Sequence, residues 1–246
     1  MDLKYFFSGR VNKKILDPNN IFIVEQNKKT TNIDDNEELS NLIKKVKPCN
    51  NPNDPVNILF NNILTEKRTQ GDDQCSYFSV TESINSLTPT ANFYGNLKTL
   101  IKAYKENHPK TTNNDTLIKD SINLHMVSSV ASMKFGIPFE IGDKKDPNQS
   151  DMAIKALISK KRVSFGMELS QRLWCIFGKR AKGERAEDDA EREGGETSRH
   201  AMNIVGFNLV EDNFIIKNYW GEKNFIYLPF KVLDLIDLTK PELYFF

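Results

Sequence analysis

The sequence predicts an α+β fold in two lobes, a helical first part and an antiparallel β-rich, barrel-like second part. Two observations predict it. Apolar residues recur at helical spacing over 75–87, 94–106 and 122–135. Beyond residue 161, β-branched and aromatic runs separated by turns take over, at 162–169, 200–207, 213–218 and 225–228. Helices and strands are therefore segregated along the chain, which argues against an alternating parallel sheet.

The elements follow in order. Residues 1–55 alternate short apolar patches with polar runs and end in Pro48-Cys-Asn-Asn-Pro-Asn-Asp-Pro55, dense in turn formers; this part reads as an N-terminal extension or linker ahead of a domain over 56–246. The stretch 75–87 places Phe78, Ile84 and Leu87 near helical spacing after the capping residues Asp72 and Asp73. Leu97, Leu100, Ile101 and Tyr104 mark the next helix, and Gly136 and Pro138 stop the one over 122–135. A short amphipathic helix over 151–161 precedes the first strand. Residues 178–199 stand apart: six basic and seven acidic side chains, four glycines, and no Ile, Leu, Val, Phe or Asn. Such a stretch buries too little apolar surface to offset its ordering entropy, and a mobile loop insertion is expected there.

Composition narrows the function. The 246 residues are 39% hydrophobic and 27% charged, with a formal net charge of +1. Bases interspersed with acids argue against nucleic acid as the main partner. No run approaches the ~18 apolar residues of a membrane span, and the first residues show no secretory signal. Cys49, Cys75 and Cys175 are odd in number and unpaired in spacing, which suits a reducing compartment. A cytoplasmic protein is the default expectation, with export as a secreted effector an alternative. No cofactor or metal is expected.

His108, His125 and His200 are the only histidines. His108 lies in a polar stretch before a proline and reads as an exposed loop residue. His125, in an apolar helix, reads as core or pocket-lining. His200 opens an apolar strand, where a ring on a firm element faces a cleft and titrates near neutrality. Cys75 falls at a predicted helix N-terminus, where the helix dipole favours a thiolate. The plainer reading of a free cysteine is a small buried apolar residue; it fits Cys175, while Cys49 reads as an exposed linker thiol.

At these residues the sequence resembles the papain-like cysteine peptidases. Glu211-Asp-Asn-Phe-Ile-Ile-Lys-Asn-Tyr-Trp-Gly221 resembles the family's asparagine–tryptophan segment, and His200-Ala-Met-Asn-Ile-Val-Gly-Phe207 its histidine strand. Gln70-Gly-Asp-Asp-Gln-Cys-Ser-Tyr-Phe-Ser79 is similar to its glutamine-to-cysteine stretch. His200 and Asn218 follow Cys75 by 125 and 143 positions, against roughly 130–150 in that type. The resemblance implies a papain-like two-lobe fold and a protein or peptide substrate. It implies Cys75 as nucleophile, His200 as base, Asn218 as orienting amide and Gln70 as oxyanion donor, with Gln74 the alternative because one residue is missing between Gln70 and Cys75. Trp220 would shield the His–Asn pair, and Leu124, His125 and Ala201 would line the substrate pocket. The sequence departs from the family in Ser76, where a tryptophan is usual, in the absence of a disulfide-forming cysteine upstream, in the longer 178–199 segment, and in lacking an evident helical propeptide. Two other readings use the same residues: a catalytically silent protein-binding module, and an acyl transferase working through the same thioester.

Overall fold

The computed structural model describes residues 36–60, 68–70, 74–88, 92–108, 123–185, 197–220 and 224–246. In chain order these form α1 (Glu37–Ile43), β1 (Lys47–Pro48), β2 (Ile58–Leu59), α2 (Cys75–Leu87), α3 (Phe93–Asn107), α4 (Leu124–Phe135), β3 (Glu140–Ile141) and α5 (Gln149–Ile158). They continue with β4 (Val163–Ser170), α6 (Gln171–Lys182), β5 (Thr197–Asn208), β6 (Asn213–Lys217), β7 (Phe225–Pro229), α7 (Lys231–Asp234), α8 (Ile236–Thr239) and β8 (Glu242–Phe245). The fold is α+β: the described strands make one antiparallel sheet in the order β1-β7-β6-β5-β4-β8-β3, with β2 added to β5. No helix among the described residues is long and apolar enough to cross a membrane.

Strand alternation splits the core between the two faces of this sheet. Val163, Phe165, Met167 and Leu169 of β4 join Met202, Ile204, Leu243 and Phe245 in one cluster, which α1, α5 and α6 cover. Ala201, Tyr219 and Tyr244 point the other way, into a cluster with Phe78, Leu97, Leu100, Leu124 and Val127 from α2, α3 and α4. β5 needs glycine at its bulge between Ile204 and Gly206, since a Cβ on Gly206 would collide with the Ile58 carbonyl oxygen of β2.

α2 meets the sheet through polar atoms. Its buried residues include Ser76, Ser79, Thr81, Glu82, Ser83 and Asn85. Ser79 Oγ donates to Met202 O at 2.8 Å, and Asn203 Nδ2 donates to Ser79 O at 3.0 Å and to Ser83 Oγ at 3.1 Å. Ser83 Oγ and Ser164 Oγ share a hydrogen bond of 2.9 Å, and Tyr219 OH donates to Asn203 Oδ1 at 2.7 Å. Apolar contacts tolerate sliding by a fraction of a turn; buried hydrogen bonds do not, because a slip leaves them unmade. This seam fixes the register of α2 against β4 and β5.

Several expectations need correction. Residues 36–55 are no linker: Leu39, Leu42 and Ile43, at helical spacing behind the N-cap Asn36, bury α1 in the core, and β1 pairs with β7. Cys49 is buried, not exposed, its N–H bonded to Phe225 O at 2.8 Å and its thiol beside Tyr227. Burial pushes that thiol up, so it resists ionisation. The loop expected over 178–199 is shorter at both ends: 178–182 close α6, with Gly183 in the left-handed C-cap conformation, and 197–199 open β5. Leu173, Trp174, Ile176, Phe177 and Ala181 give α6 an apolar stripe, with Lys179 and Lys182 exposed on the opposite side. The rest of that expected loop, 186–196, and residues 1–35 lie outside the described residues. Cys175, expected to be buried, is half-buried on α6. His108 is half-buried at the end of α3, stacked on Tyr104, and His125 is exposed.

Candidate active site

His200 and Asn218 meet where β5 and β6 run side by side. His200 Nε2–H donates to Asn218 Oδ1 at 3.0 Å, which leaves Nδ1 as the ring's basic atom. Both residues are buried, His200 4% exposed and Asn218 fully enclosed. Asn218 is further held by its backbone, its N–H donating to Asn224 O at 2.7 Å.

An aromatic box encloses the pair. Trp220 stacks on the imidazole, centroids 4.1 Å apart and planes 24° from parallel. Trp174 of α6 meets the same imidazole edge-on at 5.5 Å and Trp220 at 5.6 Å. Phe177, one turn further, packs against Trp220 at 5.9 Å. The Trp174 indole N–H donates to the Ser198 carbonyl, two residues before His200. Excluding water from the His–Asn hydrogen bond strengthens it. The apolar stripe of α6 is the sequence signal that points to Trp174 and Phe177.

Cys75 is the first residue of α2. Ser86 bonds Arg162, Ser83 bonds Ser164, and Ser79 bonds Met202, so the helix runs along the sheet in register with β4 and β5. Four helical residues rise ~6 Å, as much as about two strand residues. Cys75 lies one turn before Ser79 and packs against the cluster that contains Ala201. α2 starts from Gln74 without a side-chain cap bond. Gln70 lies against the segment that follows Asn218, its N–H bonded to Tyr219 O at 3.1 Å and its Oε1 buried with no partner among the described residues. Both candidate oxyanion donors thus lie by Cys75 in sequence and flank the Asn218–Trp220 segment or the helix start.

Of the expected pocket residues, Leu124 and Ala201 come together at Gly166, which pairs across the sheet with Ala201; a Cβ there would stand 3.7 Å from Leu124 Cδ2. His125 is set apart from them, its exposed ring near Phe139 and Tyr244 at 6.1 and 6.2 Å. Trp220 stacks on the His200 imidazole. Among the described residues no three His, Cys, Asp or Glu side chains gather to hold a metal ion.

Burial pushes the His200 ring down to about 4, the Asn218 hydrogen bond pulling weakly the other way. At neutral pH the resting imidazole is neutral and ready to accept a proton. A depressed histidine makes folding less favourable in acid, because the unfolded chain takes up the proton first. Stability should be fully present above about pH 6.5 and fall as pH drops towards about 4, by about 3 kcal/mol from this group alone. Urea unfolding of the protein and of His200→Gln across that range checks it: the pH dependence should be shallower in the variant.

Asn218→Ala removes orientation but not the proton acceptor. Turnover should fall about tenfold to a hundredfold, with a smaller change in KM, measured on one substrate at constant pH.

No protein-family model matches the chain, and no curated sequence matches it either.

Proposed function

We propose that the protein is a cysteine peptidase of papain-like two-lobe fold, with Cys75 as nucleophile. The observation that carries this reading is the His200–Asn218 hydrogen bond sealed beneath Trp220, which fixes one ring tautomer and leaves Nδ1 free to serve a nucleophile. The place of Cys75 at the start of α2, one turn before the Ser79 that bonds Met202 on the His200 strand, supports Cys75 as that nucleophile.

Chemistry follows from the geometry. His200 Nδ1 accepts the Cys75 proton as sulfur adds to the substrate carbonyl carbon. Positive charge on the ring and negative charge on the substrate oxygen are held apart as sulfur adds. The oxyanion forms by the α2 N-terminus, where the Gln70 or Gln74 amide adds a donor; one such donor is worth about 3 kcal/mol in the transition state. The imidazolium then gives its proton to the departing amine as the C–N bond breaks, leaving a thioester on Cys75. Water, deprotonated by Nδ1, adds to that thioester and releases the acid and the thiol. Asn218, an amide and not a carboxylate, orients the ring without stabilising its charge as an acid would, which favours hydrolysis over the transferase reading. Leu124 and Ala201, buried in the apolar cluster against which Cys75 packs, favour an apolar substrate side chain.

The test is rapid-mixing kinetics with activated ester substrates carrying apolar acyl groups. A burst of leaving group equal to the enzyme concentration, absent in Cys75→Ala, is expected from thioester accumulation. Steady linear release, equal in wild type and Cys75→Ala, would overturn the proposal.

A further inference from the structure

A buried carboxylate on α2 ties together the segments that carry the candidate site. Glu82 lies seven residues after Cys75, on the same helical face as Ser79. Its Oε1 accepts from Lys217 Nζ at 2.8 Å, and its Oε2 pairs with the Arg68 guanidinium. The three side chains are nearly or wholly buried, Lys217 at 0%, Arg68 at 3% and Glu82 at 8% exposed. Lys217 ends β6 and is the residue before Asn218. Arg68 lies two residues before Gln70, and its guanidinium covers the Phe93 ring at 3.9 Å. Asn224 closes the arrangement, taking the Arg68 N–H on Oδ1 at 2.5 Å and the Asn218 N–H on its carbonyl oxygen at 2.7 Å.

Buried ion groups of this kind contribute little stability beyond what well-packed apolar residues would give. What apolar residues would not supply is a directional link between three separate segments. We propose that Glu82 is a positioning residue for the reaction: its carboxylate, gripping Lys217 and Arg68, sets Asn218 and Gln70 in place relative to the Cys75 helix. This rests on the peptidase reading above. Glu82 touches neither substrate nor the reacting atoms; it acts through Lys217 on Asn218, and through Arg68 on Gln70.

The test compares wild type with Glu82→Gln and with the combined variant Arg68→Met, Glu82→Leu, Lys217→Met. Melting temperature, kcat, KM and the nitrogen NMR spectrum of the His200 ring are read for each. Glu82→Gln should melt lower, lose about tenfold or more in kcat and keep KM within about twofold. The combined variant, freed of buried charge, should recover most of the melting temperature but not the kcat. In both, the single Nε2–H tautomer of wild-type His200 should give way to a mixture. Wild-type kcat and a wild-type His200 spectrum in the combined variant would overturn the positioning role. Should that variant not fold, Glu82→Gln, which keeps the side-chain volume, decides alone: an unchanged His200 spectrum would overturn the proposal. Should wild type show no turnover, the peptidase reading fails, while the His200 spectra still decide whether Glu82 positions Asn218.

Discussion

Turnover should disappear in Cys75→Ala, falling by about ten-thousandfold or more, with the melting temperature little changed. Cys75 is half-buried at the open end of α2, and its truncation removes one sulfur atom from the margin of a core cluster, not from the centre. His200→Ala should be as inactive, but for a different structural balance. His200 is 4% exposed between Trp174 and Trp220, so alanine leaves a hole in the aromatic box and strips Asn218 Oδ1 of its donor. That variant should lose about 2–4 kcal/mol of stability as well. His200→Gln retains more volume and separates the two effects: it should fold nearly as well as wild type and still fail to turn over. Activity in Cys75→Ala at a hundredth of the original rate would contradict the nucleophile assignment.

Trp174→Ala carries the second large effect, on stability and activity together. The indole is 6% exposed, packs edge-on to His200, Phe177 and Trp220, and anchors the β5 backbone through Ser198. Its removal should cost about 3–5 kcal/mol, the range for large aromatic truncations in a core. At a temperature where the variant is folded, kcat should still fall about tenfold, because His200 loses one wall and the strand before it loses its hydrogen bond. Trp174→Phe restores the wall without the N–H and should recover most of the stability. Equal kcat in wild type and Trp174→Ala, both fully folded, would show that α6 supports the sheet and not the histidine.

How far the sequence revealed this molecule depended on whether the signal was local. The helices at α2, α3 and α4 announced themselves by spacing and by stop residues, with Gly136 left-handed at the end of α4 as its position implies. His200 and Asn218 were legible because their neighbours carry a recognisable pattern, and the 3.0 Å bond between them agrees with the pairing that pattern implies. α6 is hidden in the sequence because charge density over 178–199 outweighs the apolar stripe before it; Ser170, whose Oγ caps the Leu173 N–H at 3.2 Å, is its start signal. The Arg68–Glu82–Lys217 trio joins residues up to 149 positions apart, and no local pattern records such a contact. Its trace was nonetheless visible: a lone glutamate on an otherwise neutral helix and a lone lysine ending Phe-Ile-Ile, each in need of a buried partner. Cys49 reads as exposed for a related reason, since the turn-forming residues around it say nothing of the β7 strand beside it.

The three cysteines of one chain offer the most direct measurement. A peptidyl vinyl sulfone carrying an apolar side chain is incubated with the folded protein at neutral pH, and the adduct is located by mass spectrometry after digestion. Cys49 is buried with its thiol pushed up, and Cys175 is half-buried on α6, so both serve as internal references. A single adduct on Cys75, lost in His200→Gln, is expected. Labelling of Cys75 at the same rate in wild type and His200→Gln, or labelling of Cys175 in its place, would contradict it.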